Sequence, residues 1–156
     1  MTNTLTTLVG EELERGRDKW WATVAAPNGS LYGIPCAARQ FVKFNPIDKS
    51  TTHIGPDFGG GFKWLKGAMT DSGIIYCAPF DRDIGILKID TNTDNDTELD
   101  RNLLPERGLQ LWRSCALALD GCIHFMPSNA KLIMKLDPND DDAMTSVGDY
   151  LGEDCM

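Results

Sequence analysis

The sequence lacks any long run of apolar residues. No stretch among its 156 residues approaches the roughly 18 consecutive apolar residues that a membrane-spanning helix needs. The segment from Met1 to Leu13 alternates threonine with leucine and then turns acidic, so it lacks the basic and apolar regions of a secretory signal peptide. We therefore expect an intracellular, cytoplasmic protein with no membrane partner.

The sequence also lacks an excess of positive charge. It contains 15 lysines and arginines against 23 aspartates and glutamates, which gives a formal net charge of −8. A nucleic-acid binder needs a basic surface to neutralise phosphates, so we expect no nucleic-acid partner. The length and the hydrophobic content of 42% suit a single folded domain with its own core.

Residues that build metal centres are few and poorly spaced for that purpose. The cysteines match neither a zinc pattern nor a C-x-x-C redox pair, and their odd number favours reduced thiols. They are Cys36, Cys77, Cys115, Cys122 and Cys155. The acidic run that starts at Asp90 fails the calcium-loop pattern, because Asn95 stands at the glycine position and Arg101 at the glutamate position. We expect no metal and no cofactor.

Catalytic residues are equally scarce. The sequence has two histidines, His53 and His124. A nucleophile made from Cys115 or Cys122 with His124 is conceivable, but a packed histidine at that position is the simpler interpretation. The sequence therefore favours a protein that is not an enzyme.

The sequence does contain a threefold internal repeat. Four kinds of residue recur in the same order at steps of 44 to 48 residues, which is the signature of a repeat architecture. The markers are Trp20, Trp64 and Trp112; Gly29, Gly73 and Gly121; Pro35, Pro79 and Pro127; and Lys43, Lys88 and Lys135.

Each repeat is typical of four short strands. A strand starts at the tryptophan, Asn28-Gly29 and its equivalents signal a two-residue hairpin, a second strand ends at the proline, and a third alternates apolar residues with lysine. The pattern predicts an all-β fold of three four-stranded antiparallel propeller-type blades, with repeats at 17–61, 62–110 and 111–156. The segment Thr7-Leu8-Val9-Gly10 resembles a fourth strand, so residues 1–16 are predicted to be a fourth-strand remnant and link.

Four-stranded units of this period are similar in general architecture to kelch, WD-type and quinoprotein propeller repeats. The chain more closely resembles uncharacterised algal proteins with repeats of the form K-W-x-G, then [DN]-G-x-I-Y-G-I-P, then V-L-x-I-D-P. The third repeat departs from that form, because His124 replaces the tyrosine and Leu111 replaces the lysine. The resemblance implies the fold and no particular activity.

Three blades are fewer than the four to eight of typical closed propellers. The end sheets of such an array carry apolar faces that require capping or closure. We therefore expect a homo-oligomer, two copies forming a six-bladed ring, or docking onto another blade-bearing protein. A segment of a longer array, a three-sheet prism and an open solenoid are the structural alternatives.

The charges are predicted to separate onto the two rims of the propeller. The turns between first and second strands and between third and fourth strands carry most acids, among them Asp94, Asp96 and Glu98. The other rim is slightly basic and carries the tryptophan starts, so it is the predicted binding face for a small anionic ligand, a sugar or a peptide. Its candidate residues are Lys19, Trp20, Arg39, Lys63, Trp64, Arg82, Trp112 and Arg113. The alternative is that the tryptophans pack between blades.

The sequence thus predicts a non-enzymatic propeller-type binding or scaffold module that mediates self-assembly or protein interaction. One alternative is a lactonase-like, metal-dependent propeller enzyme. Such an enzyme needs acidic residues on the first strand of each blade, and the predicted first strands of the three repeats contain none. Another alternative is a carbohydrate-binding module that uses the tryptophan-bearing rim.

Overall fold

The computed structural model describes residues 7–10, 12–13, 15–80, 84–105, 108 and 110–149. These residues form three four-stranded antiparallel sheets, in which sequential strands are neighbours. The all-β prediction and the three blades are confirmed. Blade 1 contains β1 (Trp20–Ala25), β2 (Leu31–Pro35), β3 (Phe41–Phe44) and β4 (Thr51–Ile54). Blade 2 contains β5 (Trp64–Met69), β6 (Ile74–Pro79), β7 (Leu87–Asp90) and β8 (Asn95–Glu98). Blade 3 contains β9 (Trp112–Leu117), β10 (Ile123–Pro127), β11 (Ile133–Asp137) and β12 (Ala143–Val147).

The first strands of the three blades lie side by side. Strand β5 contacts both β1 and β9, whereas the fourth strands lie at the far edges of their sheets. This is the arrangement of blades around a propeller axis, with β1, β5 and β9 innermost. The one helical element among the described residues is a 3₁₀ turn, Arg101–Leu103, in the link between blades 2 and 3. No helix in the described part of the chain has the length and apolar character needed to cross a membrane.

The turn between the first two strands of each blade has three residues, where the sequence predicted two. In blade 1 the Ala26 amide donates to the Ser30 carbonyl and the Gly29 amide donates back to the Ala26 carbonyl, and blades 2 and 3 repeat both bonds. Gly29 has a φ of +84°, a left-handed conformation that closes a three-residue hairpin and favours glycine. The recurrent glycine was therefore the correct signal for the turn.

One further prediction about the strands is wrong. Asp96 and Glu98 lie on β8, not in the preceding turn, because Asp90 already pairs with Asn95. Residues 7–10 form no strand in the described structure, and residues 1–6, 11 and 14 of the predicted remnant and link lie outside the described residues. Gly10 lies instead beside Thr51 and Phe44 of blade 1.

The core consists of two apolar layers, one at each junction between blades. Blade 2 contributes to both layers, so the central strand β6 is almost continuously buried and apolar. The layer between blades 1 and 2 contains Ala26, Tyr32, Ile34, Phe41, Trp64, Ile75, Cys77, Leu87 and Ile89. The layer between blades 2 and 3 contains Ala68, Tyr76, Ala78, Ile86, Leu111, Trp112, Cys115, Ile123, Phe125, Ala130, Met134 and Leu136.

Candidate functional site

A polar contact joins blade 1 to blade 2 beside the apolar layer. The Tyr32 hydroxyl donates to one carboxylate oxygen of Asp94 at 2.6 Å, and the Lys43 ammonium pairs with the other oxygen at 2.6 Å. The Lys43 ammonium also lies 5.6 Å from the centre of the Tyr32 ring. Burial and the neighbouring carboxylate raise the pKa of Tyr32, and the bond to Asp94 raises the pKa of Lys43. We call this Tyr–Lys–Asp contact the interblade clamp.

The interblade clamp recurs between blades 2 and 3. The Tyr76 hydroxyl donates to Asp142, and the Lys88 ammonium pairs with the other Asp142 oxygen at 2.6 Å. Burial, followed by the Asp142 carboxylate, raises the pKa of Tyr76. In both clamps the aspartate is the last residue before the fourth strand of the following blade. The clamp is therefore part of the repeat.

Blade 3 has the donors of a clamp but satisfies them internally. His124 stands at the tyrosine position and Lys135 at the lysine position, as their pairing in the sheet shows. Both reach Asp120 of the same blade, at 3.2 and 3.3 Å. A backbone bond from Cys122, then these two side chains, lower the pKa of Asp120 to about 2. No acid from a following blade is involved.

The sheet side that carries these donors forms one end of the three-blade array. We call it the trailing face and define it by Met126, Ile133 and Val147, with Lys135. Met126 and Val147 are 41% and 38% exposed. At the equivalent positions of blades 1 and 2 the apolar side chains pack into the junction with the following blade. These packed equivalents are Ile34, Phe41 and Ile54 in blade 1, and Ala78, Ile86 and Leu99 in blade 2.

The opposite end of the array is the leading face, which we define by Trp20, Leu31, Val42 and Phe44 on blade 1. All four are only partly buried. Their equivalents in blades 2 and 3 lie under the preceding blade and are at most 1% exposed. These equivalents are Trp64, Ile75, Leu87 and Ile89 in blade 2, and Trp112, Ile123, Met134 and Leu136 in blade 3.

Trp20 lies across the leading face. A Cβ added at Gly33 would meet Val42 at 2.6 Å and Trp20 at 3.1 Å, so the missing side chain lets the indole lie on the sheet. The indole N–H donates to the Gln40 carbonyl at 3.0 Å, and the ring stacks on His53 with 6.1 Å between centroids. Trp64 and Trp112 donate in the same way to carbonyls near the start of the third strand of their own blades.

A basic cleft of about 590 Å³ opens beside Trp20. Four cations and one acid line it: Arg15, Arg17, Lys19, Arg39 and Asp57. The acid is already paired, because Asp57 lies 2.6 Å from the Arg39 guanidinium, which lowers the pKa of Asp57. The cleft therefore favours an anionic occupant.

Of the seven predicted binding residues that the structure describes, three lie together. Lys19, Trp20 and Arg39 line the basic cleft. Trp64 and Trp112 are 1% and 0% exposed, so they pack between blades and present no surface to a ligand. Packing of equivalent tryptophans, the alternative interpretation of these two residues, is the one that the geometry supports.

Lys63 is a further correction to the predicted rim. Its residue is 4% exposed, and its ammonium donates to the carbonyls of Gly59 and Gly61 at 2.9 and 3.2 Å. Burial lowers the pKa of Lys63. Arg113 is exposed, bonded to Gln110 and placed 5.5 Å from the centre of the Phe80 ring. Arg82 lies outside the described residues.

The described cysteines do not form a nucleophilic site. Cys36, Cys77, Cys115 and Cys122 are free and buried. Burial raises the pKa of Cys115 to about 12, so its thiolate is suppressed. Among the described residues no three His, Cys, Asp or Glu side chains lie together as a metal site would require.

The sequence analysis missed the clamp. Tyr32, Tyr76 and the recurrent lysine were visible as repeated residues, but their acid partners lie 51 to 66 residues away. The available signal was an aspartate recurring just before the fourth strand of the second and third repeats, at Asp94 and Asp142.

The comparisons with known proteins show the fold. No protein-family model and no curated protein matches the chain. A catalytically inactive variant of virginiamycin B lyase from Staphylococcus aureus matches over 86% of this chain with a TM-score of 0.69 and 12% identity. A streptogramin B lyase matches over 79% with a TM-score of 0.60 and 17% identity. An auxiliary nutrient binding protein from Bacteroides ovatus matches over 85% with a TM-score of 0.64 and 15% identity.

These matches cover 43%, 38% and 31% of the three structures, respectively. The chain therefore spans less than half the length of each of them. The likeness to propeller-type neighbours, together with the three sheets and two interblade layers, shows that the described chain is three consecutive blades of β-propeller type.

Proposed function

We propose that this protein is a propeller-type binding or scaffold module that assembles by packing its leading and trailing faces against further blades. The observation that carries the proposal is the difference between equivalent positions: four side chains that are at most 1% exposed in blades 2 and 3 are only partly buried on the leading face. Burying such surface contributes about 25 cal/mol per Å², so a covering blade stabilises the array.

The trailing face supports the same proposal from the other end. Its apolar residues Met126, Ile133 and Val147 stand where blades 1 and 2 have side chains packed under a neighbour. Met126 and Val147 are exposed and Ile133 is half-buried, and apolar side chains left uncovered together favour an interaction surface. Typical closed propellers have four to eight blades, so three blades need at least one more.

The experiment is a labelling measurement on the native assembly. Val147→Cys places a thiol on the trailing face and Leu31→Cys places one on the leading face. Each variant is recovered by gentle purification and exposed to a maleimide. Leu119→Cys is the matched control, because Leu119 is fully exposed in a turn of blade 3. The wild-type chain gives the background from its own cysteines.

The proposal predicts slow labelling at positions 31 and 147 and fast labelling at position 119. Mild urea that dissociates the assembly without melting the sheets should make all three positions fast. Equally fast labelling at all three positions in the native material would contradict the proposal.

The basic cleft gives a second candidate function, binding of a small anionic ligand. Arg15 and Arg17 lie there with Lys19 and Arg39, around a single acid that is already paired. Titration with inorganic phosphate and with citrate, followed by calorimetry, tests it. Arg17→Ser should weaken binding, while Arg113→Ser serves as the control outside the cleft. Equal affinity in both variants would contradict this function.

The two remaining alternatives have less support. A sugar-binding rim requires accessible indoles, whereas Trp64 and Trp112 are buried and Trp20 already stacks on His53 beside the Lys19 ammonium. A lactonase-like enzyme requires inward carboxylates, and strands β1, β5 and β9 have none. The lyase and binding activities named for the structural neighbours belong to those proteins.

A further inference from the structure

The turn that carries Asp120 is positioned to face a following blade. Asp120 occupies the place of Asn28, since each stands eight residues after its blade's tryptophan and just before the turn glycine. The Asn28 amide donates to the Thr91 carbonyl of the following blade at 3.1 Å. Thr91 belongs to the same turn as the clamp residue Asp94. Asp120 therefore lies at the edge of the trailing face that would meet such a turn.

The leading face carries a different type of residue at the position of the clamp aspartate. Asp94 stands four residues after Asp90, and Lys49 stands four residues after Asn45, which bonds across the turn to Ser50. The backbone confirms the equivalence, because Lys49 and Asp94 have φ values of 63° and 60°. The leading face thus presents an exposed cation where the clamps between blades have an acid.

The two departures complement each other. In the other junctions the trailing side supplies the cation and the leading side supplies the acid. Here the trailing side of blade 3 supplies an acid, Asp120, and the leading side of blade 1 supplies a cation, Lys49. They compensate only if the trailing face and the leading face meet at one junction. Three blades cannot close on themselves, but two copies make six blades, which lies within the range of closed propellers.

We propose that the covering partner is a second copy of this chain, docked head to tail, with Asp120 of one copy pairing with Lys49 of the other. This inference rests on the proposed function and names its partner. The junction is a charge-reversed clamp, in which Asp120 lies between Lys135 of its own blade and Lys49 of the second copy. The apolar residues of the trailing face then cover Trp20, Leu31, Val42 and Phe44, and two-fold symmetry makes both junctions identical.

A blade from another protein fits less well if it carries the usual clamp aspartate. Its carboxylate would approach Asp120, and like charges brought together at an interface disfavour the wrong partner. Lys135 would then lie near two carboxylates, whereas Lys49 on the leading face would have no carboxylate to pair with. The second copy avoids both conflicts.

The experiment measures dimerisation by sedimentation equilibrium in four chains: wild type, Asp120→Asn, Lys49→Asp and the double variant. Asp120→Asn leaves Lys135 and Lys49 facing each other without an acid. It keeps the turn intact, because Asn28-Gly29 forms the same turn in blade 1. The double variant recreates the chemistry of the clamps between blades, with asparagine and lysine on one side and aspartate on the other.

We expect a wild-type dimer, and Asp120→Asn should weaken it about tenfold or more. In the Lys49→Asp background the same substitution should strengthen the dimer, because it removes one of two facing carboxylates. Asp140→Asn, an exposed acid in another turn of blade 3, is the control and should leave the dimer unchanged.

A wild-type chain that stays monomeric, or a dimer in which the effect of Asp120→Asn has the same sign in both backgrounds, would overturn the second-copy inference. That failure is distinguishable from failure of the proposed function. If residues 31 and 147 remain protected in the native assembly while the purified chain is monomeric, another protein covers the faces. If both residues label freely, no blade covers them.

Discussion

The Tyr32 hydroxyl of blade 1 donates to the Asp94 carboxylate of blade 2 at 2.6 Å, across 62 residues of sequence. Lys43 pairs with the other oxygen of the same carboxylate, so two side chains from one blade hold one side chain of the next. Blades 2 and 3 repeat the arrangement. An apolar layer attracts blades without direction, whereas a charge-assisted contact of this kind fixes their register.

The clamp predicts a loss of stability on removal of its acid. Asp94→Ala leaves Tyr32 and Lys43 without their shared acceptor, so it should lower the free energy of unfolding by about 2 kcal/mol. Urea denaturation measures the change. Asp71→Ala, in an exposed turn of blade 2, is the matched control and should change stability by less than about 0.5 kcal/mol.

A double-mutant cycle separates the clamp from the intrinsic effect of each substitution. Lys43→Met and Asp94→Ala together should cost less than the sum of the two single variants, because each removes the same ion pair. Strict additivity would show that the pair contributes nothing to stability, as many surface ion pairs do.

Equivalent tryptophans should differ in their contribution to folding. Trp64→Ala removes a buried ring between blades 1 and 2 and should cost about 3–5 kcal/mol, and Trp112→Ala should behave alike. Trp20→Ala should cost markedly less in the dissociated chain, because its face has no covering blade. Urea unfolding at low protein concentration makes the comparison. Equal losses at all three positions would mean that Trp20 is already fully packed.

A charge-reversing substitution at Lys63 should lower the stability of the fold more than the same substitution at an exposed lysine. Lys63→Glu puts a carboxylate against the carbonyls of Gly59 and Gly61, which are acceptors and cannot bond it, so we expect a loss of about 3 kcal/mol. Lys63→Met keeps the stem and should cost less. Thermal unfolding of both variants beside Lys66→Glu, an exposed neighbour, tests this. Equal melting temperatures for Lys63→Glu and Lys66→Glu would contradict the burial.

The free energy of unfolding should fall in alkaline solution, because the clamp residues Tyr32 and Lys43 lose their protons there. The folded protein raises the pKa of Tyr32 above its ordinary 10.0 and that of Lys43 above its ordinary 10.5. Both groups therefore bind protons more tightly when folded, and their stabilisation is complete below about pH 10 and is lost as the pH rises through the folded pKa values. Urea unfolding from pH 7 to 11 should show a shallower decline in the Tyr32→Phe, Lys43→Met variant. Parallel curves would exclude the clamp as the cause.

Local patterns predicted most of the fold. The third strand of blade 1 starts at Phe41 and ends at Phe44 as its apolar–lysine alternation indicates, and all three first strands start at their tryptophans. The predictions failed where a residue's state depends on the three-dimensional path of the backbone around it. Lys63 resembles Lys19 in sequence, since each precedes a tryptophan, yet Lys63 is buried because the chain at Gly59 and Gly61 turns its carbonyls toward the ammonium.

The candidate site was less predictable for the same reason. The sequence indicated a basic rim with three tryptophans, and three of its residues, Lys19, Trp20 and Arg39, do line one cleft. Periodicity makes Trp20, Trp64 and Trp112 equivalent within their blades. Periodicity does not state which blades have a neighbour on each side. The presence of a preceding blade decides whether an indole is buried.

By itself the amino-acid sequence determined the strand count, the positions of the turns and the division into three antiparallel sheets, because alternation, turn glycines and prolines act over a few residues. Only the tertiary structure decided which faces of the described blades pack against a neighbour, which acid pairs with which lysine, and that Lys49 and Asp120 lie on opposite faces of the described array. Those features arise where one blade meets the next, through contacts between residues that are far apart in the chain and adjacent in space.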